Sequence, residues 1–225
     1  MRRLIPLLLL FCFVSIPAFA DSFYFLGGYA WISGDSDIYV QNELETTFDV
    51  DDLNNFTFTI GYDHFIGDYV NLGGNLSYYD SDTTVIDSEF EFPNGAPVRR
   101  NIALQIIPLE VNLHFLPAGR NDYVIPYVGG GVGVYFWQYE EMGDFVFDRF
   151  TDPYVETGVA FSDGADGGWH VEGGVEIPFS RSATFHAQVK YTDVDGDLDE
   201  VGFDPDFEPI DLSSTNFSAG ISIWF

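Results

Sequence analysis

The sequence predicts an all-β fold: an eight-stranded, antiparallel, up-and-down transmembrane β-barrel with long acidic extracellular loops. Three observations carry this prediction. Apolar residues recur at every second position in stretches of about ten residues, the length a tilted membrane-crossing strand requires. The connections between those stretches alternate strictly between short and long. The chain is also both acidic and aromatic, with a formal net charge of −28 and 18% Phe, Trp and Tyr.

The first twenty residues read as an export leader. Arg2 and Arg3 supply a positive start, Leu4 to Ile16 an apolar stretch, and Ala18-Phe19-Ala20 a small-x-small cleavage site. The apolar stretch is too short for a helical anchor. Residues 21–225 then form one barrel domain whose net charge is −30, because Arg2 and Arg3 leave with the leader. Cys12, the only cysteine, also lies in the leader. The exported chain therefore has no thiol with which to make a disulfide or a cysteine metal site.

Composition removes several function classes. A disordered acidic chain lacks this aromatic content. The sign of the charge excludes nucleic acid as a partner. After residue 20 no run of eighteen apolar residues occurs, so helical spanning is excluded. A barrel fits, since its strands alternate and never read as continuously apolar.

Eight segments follow in order. The first, Phe23 to Ile32, is ambiguous in facing, although Gly28 and Ala30 point to a small inward side. Phe56, Phe58, Ile60 and Tyr62 mark the second outward face; Val70, Leu72, Leu76 and Tyr78 the third; Ile107, Leu109, Val111, Leu113 and Phe115 the fourth. Val128, Val132, Val134 and Phe136 mark the fifth, and Trp169, Val171, Val175, Ile177 and Phe179 the sixth. Phe185, Ala187, Val189 and Tyr191 mark the seventh, and Phe217, Ala219, Ile221, Ile223 and Phe225 the last. The alternate positions are Gly, Ser, Thr, Asn and isolated charges, as a narrow polar lumen needs.

Aromatics gather at the strand ends in two girdles: Trp31, Tyr78, Trp137, Trp169 and Phe217 at one, Phe115, Phe179, Phe185 and Phe225 at the other. A soluble β-sandwich shares the period of two, but it explains neither the girdles nor the alternating connections. Short turns fall near 66–68, 117–122 and 180–182, and long loops at about 34–53, 80–101, 138–167 and 193–213. The long loops hold 29 of the 36 acidic residues. Within the third, Phe145 to Phe147 and Tyr154 to Phe161 form either a further membrane hairpin, giving ten strands, or an extension above the membrane. The acidic interruptions at Asp144, Asp148, Asp152 and Glu156 favour the extension.

The stretch Pro126-Tyr127-Val128-Gly129-Gly130-Gly131-Val132-Gly133, after the Pro108-to-Phe115 strand, resembles the small outer-membrane β-barrel superfamily of the OmpX, OmpA and OmpW types. So does the ending, with Phe217, Ile221, Ile223 and Phe225 at alternate positions. The resemblance covers the whole exported chain. It implies residence in the bacterial outer membrane among lipid and lipopolysaccharide, monomeric state, and a C-terminal signal read by the barrel-assembly machinery. It leaves function open, because members include anchors, adhesins, narrow channels and lipid-modifying enzymes.

The candidate site residues are the polar ones expected in the lumen. A turn centred on Arg181 sets Lys190, the only lysine, opposite Glu172 and His186 opposite Glu176. The same logic sets Glu110 and His114 beside the glycines at 129 and 131 or beside Tyr127. A satisfied polar core accounts for these groups, since eight strands are just wide enough for side chains to fill the interior. An acid–base site on Glu172, Glu176, His170 and His186 is the enzymatic alternative. It needs a serine positioned by a histidine, and neither a His-x-Ser-Asn nor a Gly-x-Ser-x-Gly stretch occurs. Asp193, Asp195, Asp197 and Asp199 are weak calcium candidates whose glycine is misplaced for an EF-hand loop. No cofactor and no catalytic residue are assigned. The sequence therefore reads as a surface-exposed or structural barrel, with a narrow channel for small solutes or small apolar molecules as the first alternative and a lipid-modifying enzyme as the second.

Overall fold

A computed structural model describes residues 21–33, 36–198, 203 and 209–225; the leader assigned to 1–20 and Asp199 lie outside them. The elements are β1 (Asp21–Ile32), helix α1 (Asp37–Glu45), a 3₁₀ turn (Val50–Leu53), β2 (Asn55–Phe65), β3 (Val70–Glu91), β4 (Pro97–Phe115), β5 (Ile125–Phe147), β6 (Tyr154–Pro178), β7 (Ala183–Asp193), the two-residue β8 (Asp195–Gly196) and β9 (Ile210–Asp211), and β10 (Ser214–Trp224). Eight of these strands form one closed antiparallel ring in the order β1-β10-β7-β6-β5-β4-β3-β2, while β8 and β9 pair only with each other. The ring answers the strand count: eight, not ten.

Alternation decides which way each side chain points. Phe25, Phe58, Leu109, Val132, Val171, Val189 and Ile221 are exposed on the outer wall, where lipid replaces water. Their neighbours in sequence line the interior. The first strand shares this parity: Tyr24, Leu26 and Ala30 are buried, Phe25 and Trp31 exposed. Trp137 departs from the girdle reading. It is 3% exposed and its indole donates to Asp166 at 2.6 Å. Parity explains this, since position 137 shares the inward phase of Tyr127 and Tyr135, whereas Trp31, Tyr78, Trp169 and Phe217 face outward.

Strand length divides the ring into two halves. β1, β2, β7 and β10 have 11 or 12 residues, enough for one membrane crossing. β3 to β6 have 19 to 25. Residues read as the second and third loops are therefore largely strand. The pairing runs on through Val85, Arg100, Gly143 and Gly158 to Phe147 opposite Tyr154. The acidic residues do not interrupt it because β-branched neighbours such as Thr83, Thr84, Val85 and Val155 keep strand propensity, and because one face stays buried at Val85, Val98, Ile102 and Tyr139 while the other takes the charges. The segment of Phe145–Phe147 and Tyr154–Phe161 belongs to this raised four-stranded sheet.

The first long loop carries a helix, α1, that the alternation does not announce. Ile38, Tyr39 and Asn42 are buried, placing one side of the helix in the mouth of the ring. The short turns close the other end, with Ile66 donating its amide to Val70 and Phe179 to Ala183.

Candidate functional site

Three layers fill the interior. Nearest the short turns, Phe65, Leu116, Ile125 and Tyr127 pack together against Trp224. At the opposite end a larger apolar cluster joins Ile38, Tyr39, Phe48 and Leu53 of the first loop to Tyr135, Trp137 and Tyr139 of β5 and to Ile210 and Leu212. The Tyr39 hydroxyl donates to the Asp211 carbonyl at 3.2 Å. Burial holds the Tyr39 phenol well above its ordinary pKa, so it stays a neutral donor.

Between these layers lie the charged residues. The strand register sets Glu172 opposite Lys190 and Glu176 opposite His186, and the side chains then choose other partners. Lys190 Nζ reaches Glu110 at 2.7 Å, and the Tyr135 hydroxyl donates to the same carboxylate at 2.7 Å. Glu172 instead bonds His114 and accepts from Gln188. His170 sits 3.5 Å from Glu110 and 4.0 Å from Glu172. His186 contacts Tyr127 at 2.6 Å and Ser222 at 3.1 Å, while Glu176 accepts from Thr184 at 2.8 Å and from Trp224 at 3.2 Å. The register predicted from the turn holds, and the end groups leave their cross-strand neighbours for a geometric reason. Lumen side chains are long relative to a narrow interior, so an end group reaches across the barrel as readily as to the next strand.

Glu110 lies opposite Gly133 and His114 opposite Gly129. The first differs from the expected glycines by one inward position, because the 116–124 connection is longer than a tight turn. These glycines supply room for the long side chains. A Cβ on Gly133 would stand 2.9 Å from Glu110 Cγ, and one on Gly131 2.9 Å from His170 Cε1. A cavity of about 40 Å³ touches Tyr135, Ile106, Lys190, Thr192 and Asn216, where the polar layer meets the upper plug.

The Ser222–His186 contact has the polar ends of a nucleophile and a base, and sequence reading missed it because the two residues are 36 apart. Ser222 is 1% and His186 2% exposed, and the other imidazole nitrogen meets Tyr127 rather than a carboxylate. In the last loop, Asp195 is driven above its ordinary pKa by burial and by Asp211, Asp193 and Asp197. No group of three or more acidic, His or Cys residues is arranged to hold a metal among the described residues.

The end of the ring with long connections carries a second polar network. Arg100 lies 3.2 Å from Glu141 and also bonds Asn42 of α1. Asn42 donates to Glu141 at 2.8 Å. Arg149, in the β5–β6 connection, reaches Asp87 of β3 and, at 3.1 Å, Glu45 of α1. These contacts surround a cavity of about 520 Å³ whose wall includes Phe145, Phe147, Phe150 and Phe203. Nothing in the sequence joins these positions. They converge because β4, β5 and α1 meet above the plug.

The sequence matches the family described as outer membrane protein beta-barrel domain over residues 7–225. The chain belongs to that family. Its place is the bacterial outer membrane, and the ring crosses the bilayer with strands. Among solved structures, a major outer membrane protein from Thermus thermophilus is similar at TM-score 0.53 and 9% identity, over 92% of this chain and 100% of that one. Neisserial surface protein A is similar at TM-score 0.51 and 14% identity, over 92% and 100%. Ail of Yersinia pestis matches at TM-score 0.44 and 14% identity, over 91% and 99%. At these identities the first two show the shared fold. Curated proteins give no match.

Proposed function

We propose that this outer-membrane barrel is a closed, non-enzymatic anchor whose working surface is the end with the long connections. The observation that carries the reading is the filled interior. An apolar plug built partly from the first loop seals the mouth, and an aromatic layer seals the other end. Between them Glu110 holds Lys190, Glu172 holds His114, and Glu176 accepts from Thr184 and Trp224, so these groups bond within the lumen rather than lining an open path. The four longest strands meanwhile carry the chain well past one membrane crossing. The acidic connections then face outward above lipopolysaccharide, and the exposed Phe217, Ile221, Ile223 and Phe225 serve as the assembly signal at the last strand. The burial of Ser222 and His186 supports the absence of catalysis, since no substrate reaches them.

A narrow channel is the second reading, favoured by the lower lumen, where buried side-chain atoms of Asn71, Asn75 and Asn112 have no hydrogen-bond partner among the described residues. Single-channel recording of the refolded chain in a planar bilayer separates the two. A silent bilayer with the protein inserted is the expected result. Stable, discrete openings would overturn the closed anchor and favour the channel.

A further inference from the structure

The 520 Å³ cavity is in the size range of small-molecule sites. Its chemistry selects the sign of an occupant. Both guanidiniums at the cavity are already neutralised, Arg100 by Glu141 and Arg149 by Asp87 and Glu45. An anion would have to displace one of these carboxylates. Asp148, on the cavity wall at the β5–β6 tip, has no side-chain partner among the described residues. Counting it, four carboxylates face two guanidiniums around this space. The field of the acidic surroundings adds to the same preference, since a negatively lined cleft concentrates cations.

The remaining wall is mostly apolar, with four aromatic rings beside Ile38, Val146 and Ala160. Phe150 is 99% exposed, and Phe147 stacks on Tyr154 at 5.4 Å while remaining 43% exposed. The face of Phe145 is occupied by Arg100, 5.4 Å from its centroid. Phe203 packs on Tyr139 at 5.8 Å, which leaves Phe150 and the exposed part of Phe147 to meet a ligand. A carboxylate without a side-chain partner beside exposed rings is the arrangement that holds a positive charge attached to an apolar body.

We propose that this cavity binds a small organic cation, an ammonium carried on an apolar group, with Asp148 as counter-charge and Phe147 and Phe150 as the aromatic wall. The proposal rests on the reading of this end as the working surface. A conducting barrel would overturn that reading without altering the binding result, so the two fail separately.

The test uses the refolded chain in nanodiscs of zwitterionic phospholipid, with benzyltrimethylammonium as the probe and benzyl alcohol and benzenesulfonate as neutral and anionic comparisons at equal ionic strength. Calorimetric titration is expected to show saturable binding of the cation alone. Asp148→Asn weakens it about fivefold, and Phe147→Ala with Phe150→Ala about tenfold. Glu89→Gln, an exposed acid near the β3–β4 tip and outside the cavity, leaves it unchanged. All three variants alter exposed or half-exposed side chains, so the ring persists. Equal binding of the three probes, absence of cation binding, or equal weakening by Glu89→Gln and Asp148→Asn would each overturn the proposal. The last outcome would assign the effect to the diffuse acidic surface.

Discussion

The lumen and the long-loop cavity are both built from a few cations set among carboxylates, and they end differently. Around Lys190 the side chains pack until a space of about 40 Å³ is left. Around Arg100 and Arg149 the same kind of network frames about 520 Å³. In the first case the glycines of β5 leave their volume to His114, His170 and Glu110, so the space beside them is taken by neighbours. In the second the charged ends of Glu45, Arg100, Glu141 and Arg149 stand around the space together with aromatic rings, and none of them fills it. A charge network that consumes its own volume holds a structure together; one that spans a space leaves room for something else.

The comparison breaks most sharply at Glu110. Glu110→Ala strands Lys190 and removes the acceptor of Tyr135, and an unpaired buried charge costs roughly 3–5 kcal/mol. Denaturant unfolding of the refolded protein should show that loss. Glu110→Gln combined with Lys190→Met should recover most of it, because both charges leave together. An unchanged midpoint for Glu110→Ala would mean that Lys190 finds water, and the lumen is then open.

Tyr39→Ala comes next. It empties a fully buried site in the upper plug, and large-to-small aromatic changes cost about 3–5 kcal/mol where the surroundings do not collapse. Because α1 is a loop element, the loss should fall on the plug and less on the ring, giving a smaller global effect. The expected signature is faster hydrogen exchange in residues 37–45 with the ladder amides of β1 and β10 unchanged.

How much of this was legible in sequence depends on what each residue answers to. The wall was legible because lipid outside and polar groups inside impose a strict period of two, visible in Leu109, Val111 and Leu113 against Glu110, Asn112 and His114. The β6–β7 register was legible too, since the turn at Ser180–Ser182 leaves little freedom in aligning Glu172 with Lys190. Partner choice was not. It is fixed by the width of the lumen, a property of ring closure that neither strand carries alone. Helix α1 was hidden because its buried residues, Ile38, Tyr39 and Asn42, form no apolar stripe of helical period and are chosen by the mouth they fill.

Arg149 sharpens the other side of the comparison. Arg149→Met removes the group that ties Asp87 and Glu45 together across β3, α1 and the β5–β6 connection. A charged hydrogen-bonded contact of this kind contributes about 2 kcal/mol. The expected result is faster exchange at the two hairpin tips with an unaltered lumen, read by proteolysis of the 148–153 connection. Equal sensitivity to protease would mean that the tips are held by strand pairing alone.

The smallest effect is on pH. Asp195 has a raised folded-state pKa from burial and its acidic neighbours. A raised carboxylate binds its proton more tightly when folded, so its contribution is complete below the ordinary Asp range and lost as pH rises through the raised value. Mild acidification should therefore protect the Leu212 amide, which donates to Val194 beside the β8–β9 pair. Because Asp195 is largely solvated, a shift of only a few-fold in exchange rate is expected.

The seam of the ring has one more consequence. Asp21 and Phe225 exchange both backbone hydrogen bonds, the Asp21 amide to the Phe225 carbonyl at 3.1 Å and the Phe225 amide to the Asp21 carbonyl at 3.0 Å. Their meeting makes the eight strands a cycle with no privileged starting point. A circular permutant joined across this seam and cut at the Ser180–Ser182 turn would keep every ladder while moving Phe225 from the end of the chain to its interior. Fold and the proposed assembly signal would then be separable: the permuted ring should still refold in detergent, while an assembly step that reads Phe225 at a free strand end would fail on it.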